Sequence, residues 1–309
     1  MNIIVSGGGT GGHIYPALTI IRAIRRREPS ARILYVGTQH GLEADIVPRE
    51  GIDFIAMNLA GFQRKISLEN IGRAWLALRA VARARGIVHG FQPDVAIGTG
   101  GYVAGPILLA ASLAGVPTLV QEQNVFAGVT NRLLAKFATA IAVGMEDAQR
   151  VFPKEKTYVT GNPIRPEVLT ATREEGAKAF GFDPAKKTVL VSGGSRGARS
   201  INRAMVEVIV HAAEQRAVQY LHVTGADEHE DMLMRIRSAG VRIEEHPHLR
   251  VLPYLYNMPE AMAMADVAVF RAGATGLAEL AARGVPAILI PYPYAAENHQ
   301  EKNARAMEA

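Results

Sequence analysis

The 309-residue chain carries 34 lysines and arginines against 29 acids, a net charge of +5, with 49% hydrophobic and 20% charged residues. That balance is globular and sized for about two domains. Its small, scattered cationic excess favours anionic ligands over nucleic acid. The absence of cysteine excludes disulfides and thiolate metal sites. No uncharged run reaches the ~18 residues of a spanning helix, and no secretory leader is expected at the N-terminus.

Short apolar runs alternate with helical patterns along the chain. A first strand is predicted over 2–6, around Ile3-Ile4-Val5, and runs into Gly7-Gly8-Gly9-Thr10-Gly11-Gly12-His13. Further strands follow at 32–36, 53–57, 94–98, 117–121, 140–143 and 157–160, with helices near 15–27, 41–49, 68–89, 103–114 and 128–137. Two prolines and a glycine in Gly161-Asn162-Pro163-Ile164-Arg165-Pro166 stop regular structure, so the domains are expected to be 1–163 and 164–309. A polar stretch over 170–187 precedes a second set of strands at 188–192, 218–223, 249–252, 267–270 and 286–290, with helices near 200–216, 228–239 and 275–283. Val267-Ala268-Val269-Phe270 and Ala287-Ile288-Leu289-Ile290 are apolar on both faces, as in a parallel sheet covered by helices on both sides. The fold class is therefore α/β, with two Rossmann-like halves. Gln300 to Ala309 reads as helix with neither a glycine cap nor a proline stop, so the second domain is expected to continue.

The chemistry concentrates at strand ends. Glycines after a short strand let the backbone approach an anion, which the amides opening the next helix then face. Gly193-Gly194-Ser195-Arg196-Gly197-Ala198, after Val189-Leu190-Val191, is a looser copy of the first loop. Gly7, Gly9 and Gly12 satisfy a dinucleotide fingerprint, but Val36-Gly37-Thr38-Gln39 stands where its ribose-binding acid belongs, and His13 stands where a P-loop needs lysine. His13 is a structural histidine or, at a phosphate-binding helix start, a general base or diphosphate contact. Glu122-Gln123-Asn124 and Gly98-Thr99-Gly100-Gly101-Tyr102 end two more strands where open α/β sheets hold ligands. Arg271-Ala272-Gly273-Ala274-Thr275-Gly276 opens a helix carrying Glu279, on its own an ordinary helix residue or a carboxylate that can accept from ribose hydroxyls. Asp227, His229 and Asp231 read as a solvated helix start, and His246 and His248 as loop residues. No Asp-x-Asp pair is present to bridge a metal to a nucleotide diphosphate, so metal-independent chemistry is expected. The segment 67–89 mixes Ile71, Trp75, Leu76, Leu78 and Val81 with Arg73, Arg79, Arg83 and Arg85. It reads as an amphipathic core helix or as a basic, apolar patch for anionic lipid.

Together these residues resemble the MurG family of glycosyltransferases of bacterial peptidoglycan synthesis. The likeness runs from Gly7 to nearly the chain end. It takes in Gly8 to His13, Gly100-Gly101-Tyr102, Glu122-Gln123-Asn124, Gly161 to Arg165, Gly193 to Ala198, Gly273-Ala274 with Glu279, and His299-Gln300 with Asn303. The resemblance implies a GT-B fold of two Rossmann-like domains facing a cleft. It implies inverting transfer of N-acetylglucosamine from UDP-N-acetylglucosamine to undecaprenyl-pyrophosphoryl-muramoyl-pentapeptide (lipid I), giving lipid II, without a cofactor. It further implies a peripheral place on the cytoplasmic face of the cell membrane, cell-wall synthesis proteins as partners, and a part in cell wall biogenesis, cell shape and division.

Carried over by position, Leu255 presents backbone to the uracil, and Arg165 and Ser195 face the donor phosphates. Ala274, Thr275, Gly276, Leu277, Ala278 and Glu279 wrap phosphates and ribose, with Glu279 on the ribose hydroxyls, and Gln300 meets the sugar. Thr10, Gly11, Gly12 and Asn124 close over the transferred sugar and the acceptor diphosphate, with Gly9, Gly101 and Tyr102 in the acceptor loops. His13 is the first choice for the base, with Glu122 behind it. The family commonly has serine where Ala272 stands and threonine where Gly276 stands, so Thr275 supplies the hydroxyl from one position earlier. It also continues past Ala309 with a helix that packs back on the first domain. The competing readings are another GT-B nucleotide-sugar enzyme or epimerase, an NAD-dependent oxidoreductase built on the first loop, and a non-catalytic lipid I-binding protein.

Overall fold

The structure is a computed structural model describing residues 1–59, 69–194 and 196–308; of residues 69–78 and Ala296 it describes the backbone alone. The chain divides into two compact units, Met1–Pro163 and Ile164–Ala309.

In the first unit the chain forms β1 (Asn2–Ser6), α1 (Gly11–Arg27), β2 (Arg32–Thr38), α2 (Glu43–Arg49), β3 (Asp53–Met57) and α3 (Glu69–Phe91). It continues through β4 (Val95–Gly98), α4 (Ala104–Leu113), β5 (Thr118–Glu122), α5 (Val129–Leu134), β6 (Ala140–Val143) and β7 (Thr157–Val159). The sheet has seven strands in the order β3-β2-β1-β4-β5-β6-β7, and every pairing is parallel. Its strands are apolar on both faces because helices cover both. Ile3 and Val5 pack with Ile14, Leu18 and Ile21 of α1 and Val47 of α2. Ile4 and Val120 pack with Ala84 and Val88 of α3, Ile107 and Leu108 of α4 and Leu134 of α5. Each such side chain contributes about 1.5–3 kcal/mol by leaving water.

The second unit opens with α6 (Pro166–Thr170) and α7 (Arg173–Phe180), then β8 (Lys187–Ser192), α8 (Arg199–Glu214), β9 (Val218–Val223) and α9 (His229–Ser238). It ends with β10 (Leu249–Leu252), α10 (Met258–Met264), β11 (Val267–Phe270), α11 (Ala274–Arg283), β12 (Ala287–Leu289) and α12 (His299–Glu308). Its five-stranded sheet has the order β10-β9-β8-β11-β12, again parallel throughout. Ile201, Met205 and Ile209 of α8 pack with Met232 and Ile236 of α9 in one core cluster, and Val168, Phe180, Met262 and Leu280 build another.

The predicted strands are all present with ends moved by a residue or two, since period and apolarity fix a strand's centre better than its ends. The helices depart further from expectation, and α6 is an additional short one after the Gly161–Pro166 stop. The polar stretch 170–187 holds α7, started by a capping box in which Thr172 accepts from the Glu175 amide, and stopped by Gly181 in the left-handed conformation at φ +67°. The short α10, with Pro259 in its first turn, is a helix the apolar pattern does not predict. Finally, α1 starts at Gly11, four residues before the predicted 15, because first-turn residues need no apolar periodicity.

Candidate functional site

In each sheet the first strand lies between the second and the fourth, so strand order reverses beside it. Between β1 and β4, and between β8 and β11, neighbouring connections leave to opposite faces and open a crevice at the carboxyl ends of the strands. The segments singled out by sequence sit at those ends. The helices that start there, α1, α8 and α11, carry no acid in the first turn and no side-chain cap. By contrast, α2, α7, α9 and α10 each have a first-turn acid. First-turn amides lack partners within their own helix, so a helix start without acid or cap is set for an external anion.

In the first unit the Gly7–His13 and Gly98–Tyr102 loops touch. The Gly8 amide donates to the Gly100 carbonyl at 3.4 Å. A Cβ on Gly101, at φ +80°, would stand 2.4 Å from the Gly8 oxygen, and one on Gly100, at φ +105°, 2.7 Å from His13 Nδ1. Only glycine permits both the conformation and the approach. The same crossing brings Tyr102 to the loop, with its ring 3.7 Å from the Cβ position of Gly9. Thr10 is the N-cap of α1, and Gly11, Gly12 and His13 form its first turn.

His13 Nδ1 faces two acceptors, the Thr99 carbonyl at 3.0 Å and Gln123 Oε1 at 3.2 Å. A carbonyl oxygen can only accept, so Nδ1 holds the proton and, in the neutral ring, Nε2 holds the lone pair. Thr99 Oγ1 donates to the His13 carbonyl at 2.7 Å, closing a second link between α1 and β4.

The two buried carboxylates here are consumed by structure. Glu122, 1% exposed, accepts from the Asn124 amide and side chain at 3.0 and 3.1 Å, the Gly128 amide at 3.0 Å and Asn131 Nδ2 at 2.9 Å. These bonds make Glu122 the holder of the Asn124 loop. Glu43 is 0% exposed. It accepts from the Gly9 amide at 3.1 Å, the Thr38 amide at 3.0 Å and Thr38 Oγ1 at 2.6 Å. Beside it, Tyr35 donates to the Gly7 carbonyl at 2.7 Å. Burial, and then the Glu43 charge, push the Tyr35 phenol well above its ordinary value. Sequence reasoning missed Glu43. The acid absent from the end of β2 stands a few residues later and turns onto the loop, where it is closed to a ribose. The signal was present: Gly8, Gly37 and Gly41 surround it, and a Cβ on any of them would come within 2.3–2.6 Å of its side chain.

In the second unit, Arg165 and Glu279 form a two-pronged ion pair, Nε to Oε1 at 2.7 Å and Nη2 to Oε2 at 3.0 Å. Glu279, 3% exposed, lies on the buried side of α11. Gly273 caps α11, Ala274 to Ala278 fill its first turns, and Thr275 Oγ1 is buried with no hydrogen-bond partner among the described residues. A buried hydroxyl without a partner costs roughly 1–3 kcal/mol, and an anion at this helix start would satisfy it. Arg271 ties the neighbouring strand ends together. Its Nη1 donates to the carbonyls of Ile290 and Pro291 at 3.1 and 2.9 Å, its Nη2 to Ser200 Oγ at 3.1 Å, and it lies 5.5 Å from the centroid of the Tyr292 ring. The Tyr292 amide donates to Gln300 Oε1 at 2.9 Å. Leu255 packs its side chain into the core between exposed Tyr254 and Tyr256, so backbone is what it can present to a ligand. Ser195 lies outside the described residues.

The first unit thus gathers Gly9, Thr10, Gly11, Gly12, His13, Gly101, Tyr102, Glu122 and Asn124 at the carboxyl edge of its sheet. The second gathers Arg165, Leu255, Ala274 to Glu279 and Gln300 on the loops and helices beyond its own strands. Among the described residues no group of three or more histidine, aspartate or glutamate side chains is placed to hold a metal, and the Asp227, His229 and Asp231 trio opens α9.

Comparison with known proteins gives one family. The glycosyltransferase family 28 N-terminal domain matches residues 3–143, and the family's C-terminal domain matches 188–309. A protein of Desulforamulus reducens named UDP-N-acetylglucosamine–N-acetylmuramyl-(pentapeptide) pyrophosphoryl-undecaprenol N-acetylglucosamine transferase is 51% identical over 99% of this chain and 83% of its own length. One of the same name from Halalkalibacterium halodurans is 46% identical, with the same coverage of both chains. The crystal structure of Acinetobacter baumannii MurG superposes with a TM-score of 0.75 at 26% identity, covering 99% of this chain and 83% of that one.

Proposed function

The chain belongs to glycosyltransferase family 28 and has its GT-B fold, and from that premise we infer that it moves N-acetylglucosamine from UDP-N-acetylglucosamine to a muramoyl-pentapeptide carried on undecaprenyl pyrophosphate. The substrates are those in the names of its relatives. The observation that carries the mechanism is His13, in the first turn of α1 with its Nδ1 proton held by the Thr99 carbonyl. Its Nε2 takes the proton of the attacking acceptor hydroxyl. That oxygen bonds to the anomeric carbon, the bond to the UDP oxygen breaks, and the electron pair leaves on the diphosphate. One displacement inverts the anomeric centre. Glu122 holds the loop that aims Asn124, and the α1 amides with Thr10, Gly9, Gly101 and Tyr102 take the acceptor diphosphate and the transferred sugar.

The second unit binds the donor. The start of α11, Thr275 and Ser195 meet the diphosphate. Glu279 accepts from the ribose through lone pairs that the Arg165 fork leaves open, Leu255 offers backbone to the uracil and Gln300 meets the sugar. No metal is called for, because helix starts and Arg165 answer the diphosphate charge. Burial of Glu43 on the Gly9 amide weighs against the oxidoreductase reading, which needs a carboxylate open to a ribose.

The acceptor lipid requires a membrane surface, and among the described residues no helix is long and apolar enough to cross one. The docking face is the α3–α4–α5 layer of the first unit, on the cytoplasmic leaflet. The side chains of Trp75, Leu76 and Leu78 lie outside the described residues. Exposed Leu113, Leu133 and Phe137 and exposed Arg79, Arg83 and Arg85 belong to this layer, and Ser112 Oγ ties α4 to the Phe137 carbonyl at 2.9 Å. Apolar contact plus about 1 kcal/mol per cation near anionic lipid holds such a face. Its product feeds the cell wall and, through it, cell shape and division. The deciding experiment is product analysis with UDP-N-acetylglucosamine and a short-chain lipid I analogue. A β-linked disaccharide-lipid is expected, formed equally with and without EDTA. Epimerised nucleotide sugar, or binding of the analogue without turnover, would replace this reading.

A further inference from the structure

Gln123 lies between Glu122 and Asn124 and is almost wholly buried, 2% exposed. Its side chain is spent on its neighbours. Oε1 receives His13 Nδ1 at 3.2 Å, and Nε2 donates to the Thr99 carbonyl at 2.6 Å and also to Gln121 Oε1. Gln121, 2% exposed, donates through Nε2 to Asn162 Oδ1 at 3.2 Å. Asn162 Nδ2 returns to the Gln123 carbonyl at 3.0 Å. The three amides close a ring, and each donor and acceptor in it leaves the next only one orientation. Gly144 makes room for it, since a Cβ there would stand 2.0 Å from Asn162 Oδ1.

The ring ends on the one histidine of the glycine loop. Thr99 O and Gln123 Oε1 both demand a proton from Nδ1. Gln123 Nε2, donating to the same Thr99 oxygen, holds the two acceptors together. Such fixing of a ring tautomer by the other nitrogen's partner is how an imidazole is kept as a base. We propose that Gln123, clamped by Gln121 and Asn162, is the positioning residue that keeps the proton on His13 Nδ1 and turns Nε2 toward the acceptor hydroxyl. This rests on the reading of His13 as the base. It assigns work to a buried amide beside Asn124, and gives Asn162 a role in the first unit's chemistry beyond ending that unit.

An amide rather than a carboxylate at this position has a consequence. It orders the ring without adding a negative charge that would hold a proton on it. The carboxylates on the surrounding elements are engaged elsewhere, Glu43 by Gly9 and Thr38 and Glu122 by Asn124, Gly128 and Asn131. Tyr102, the phenol on the facing loop, is partly exposed. Gln123→Glu brings an opposite charge against Nδ1–H, so the acid limb of kcat/KM against pH moves up by about one unit or more. Gln123→Met keeps the volume and removes the acceptor, so kcat falls about tenfold or more while the KM for UDP-N-acetylglucosamine stays put.

The test is the pH profile of the full chain with both variants, together with long-range 15N–1H NMR of the His13 ring, which needs no turnover. The expected record is Nδ1–H in the parent, a mixture of tautomers in Gln123→Met and the raised limb in Gln123→Glu. Nε2–H in the parent, or an unmoved limb in a folded Gln123→Glu, overturns the proposal while leaving His13 as base intact. A fully active His13→Ala with the NMR pattern as expected overturns the base instead, and with it any catalytic meaning for Gln123.

Discussion

The two glycine-rich loops follow the first strand of each sheet and look like copies, yet their glycines answer different demands. In the first unit, Gly8 makes room for the buried Glu43 carboxylate, while Gly100 and Gly101 of the facing loop make room for His13 and for the Gly8 backbone. In the second, Gly193 avoids Ala198, and Gly197 and Gly225 let two stretches of main chain cross, with a Cβ on Gly197 only 1.9 Å from the Thr224 oxygen. The first loop is held from below by side chains and ends in a titratable ring. The second is held by backbone. In the proposed mechanism one motif serves a reacting site in one unit and a binding site in the other. The substitutions that test this division run from those that stop the reaction to those that only strain a turn.

Removing the ring has the largest effect. His13→Ala should lower kcat by roughly 10²–10⁴-fold, the usual worth of a general base, and leave UDP affinity unchanged because the proposed nucleotide site is in the other unit. Calorimetry with UDP beside steady-state rates separates the two. Weaker UDP binding in this variant would undo the assignment of ligands to units. Next comes Glu279→Ala, which removes the acceptor proposed for the ribose and breaks the Arg165 fork. Donor affinity should fall by about 1.5–3 kcal/mol with turnover at saturating donor little altered. A large loss of turnover at unchanged affinity would give Glu279 a part in the chemistry.

The proposed division into reacting and binding sites comes largely from the sequence. Apolar periodicity found the strands, and with them the carboxyl ends where ligands bind. Glycine runs marked the close approaches, because no other residue tolerates them. Sequence could not say what each glycine avoids. Gly37 and Gly41 make room for Glu43, which no local pattern announced, and the four donors to Glu122 were equally hidden. A carboxylate's task depends on which amides point at it, and those come from residues distant in the chain or hidden in a loop's conformation. The α7 cap was local and was missed only because its helix is polar.

The units also differ in the titratable group each buries. In the second, His222 is 0% exposed, its Nε2 donates to Asn202 Oδ1 at 2.9 Å, and its Nδ1 has no partner among the described residues. Burial foremost, then the nearby charge of His229, pushes it down to about 3. Between its ordinary value and that one the unfolded chain binds a proton the folded chain refuses. This contribution to stability is therefore intact above about pH 6.5 and lost on acidification, at up to about 1.4 kcal/mol per pH unit. Protection factors of the β9 amides, corrected for the intrinsic exchange rate at each pH, should fall with acid accordingly, and His222→Gln should flatten the dependence. An equal slope in that variant would place the acid sensitivity elsewhere.

The smallest effect separates the loops most directly. Gly9 and Gly194 hold matching left-handed positions, φ +83° and +85°, and both have room for a methyl group, with only the Tyr102 ring 3.7 Å from the first and nothing within 4 Å of the second. Alanine at either should therefore cost backbone strain alone, about 1–2 kcal/mol, and lower the melting temperature by similar amounts. Equal structural cost makes the functional contrast readable. Gly9→Ala tilts an amide that Glu43 holds beneath the acceptor loop, so the KM for the lipid I analogue should rise a few-fold while that for UDP-N-acetylglucosamine holds. Gly194→Ala should do the reverse. If both variants raise the same KM, the two loops share one ligand and the assignment of one substrate to each unit fails. If neither does, the glycines serve folding alone, and the anion contacts rest on the first turns of α1 and α11.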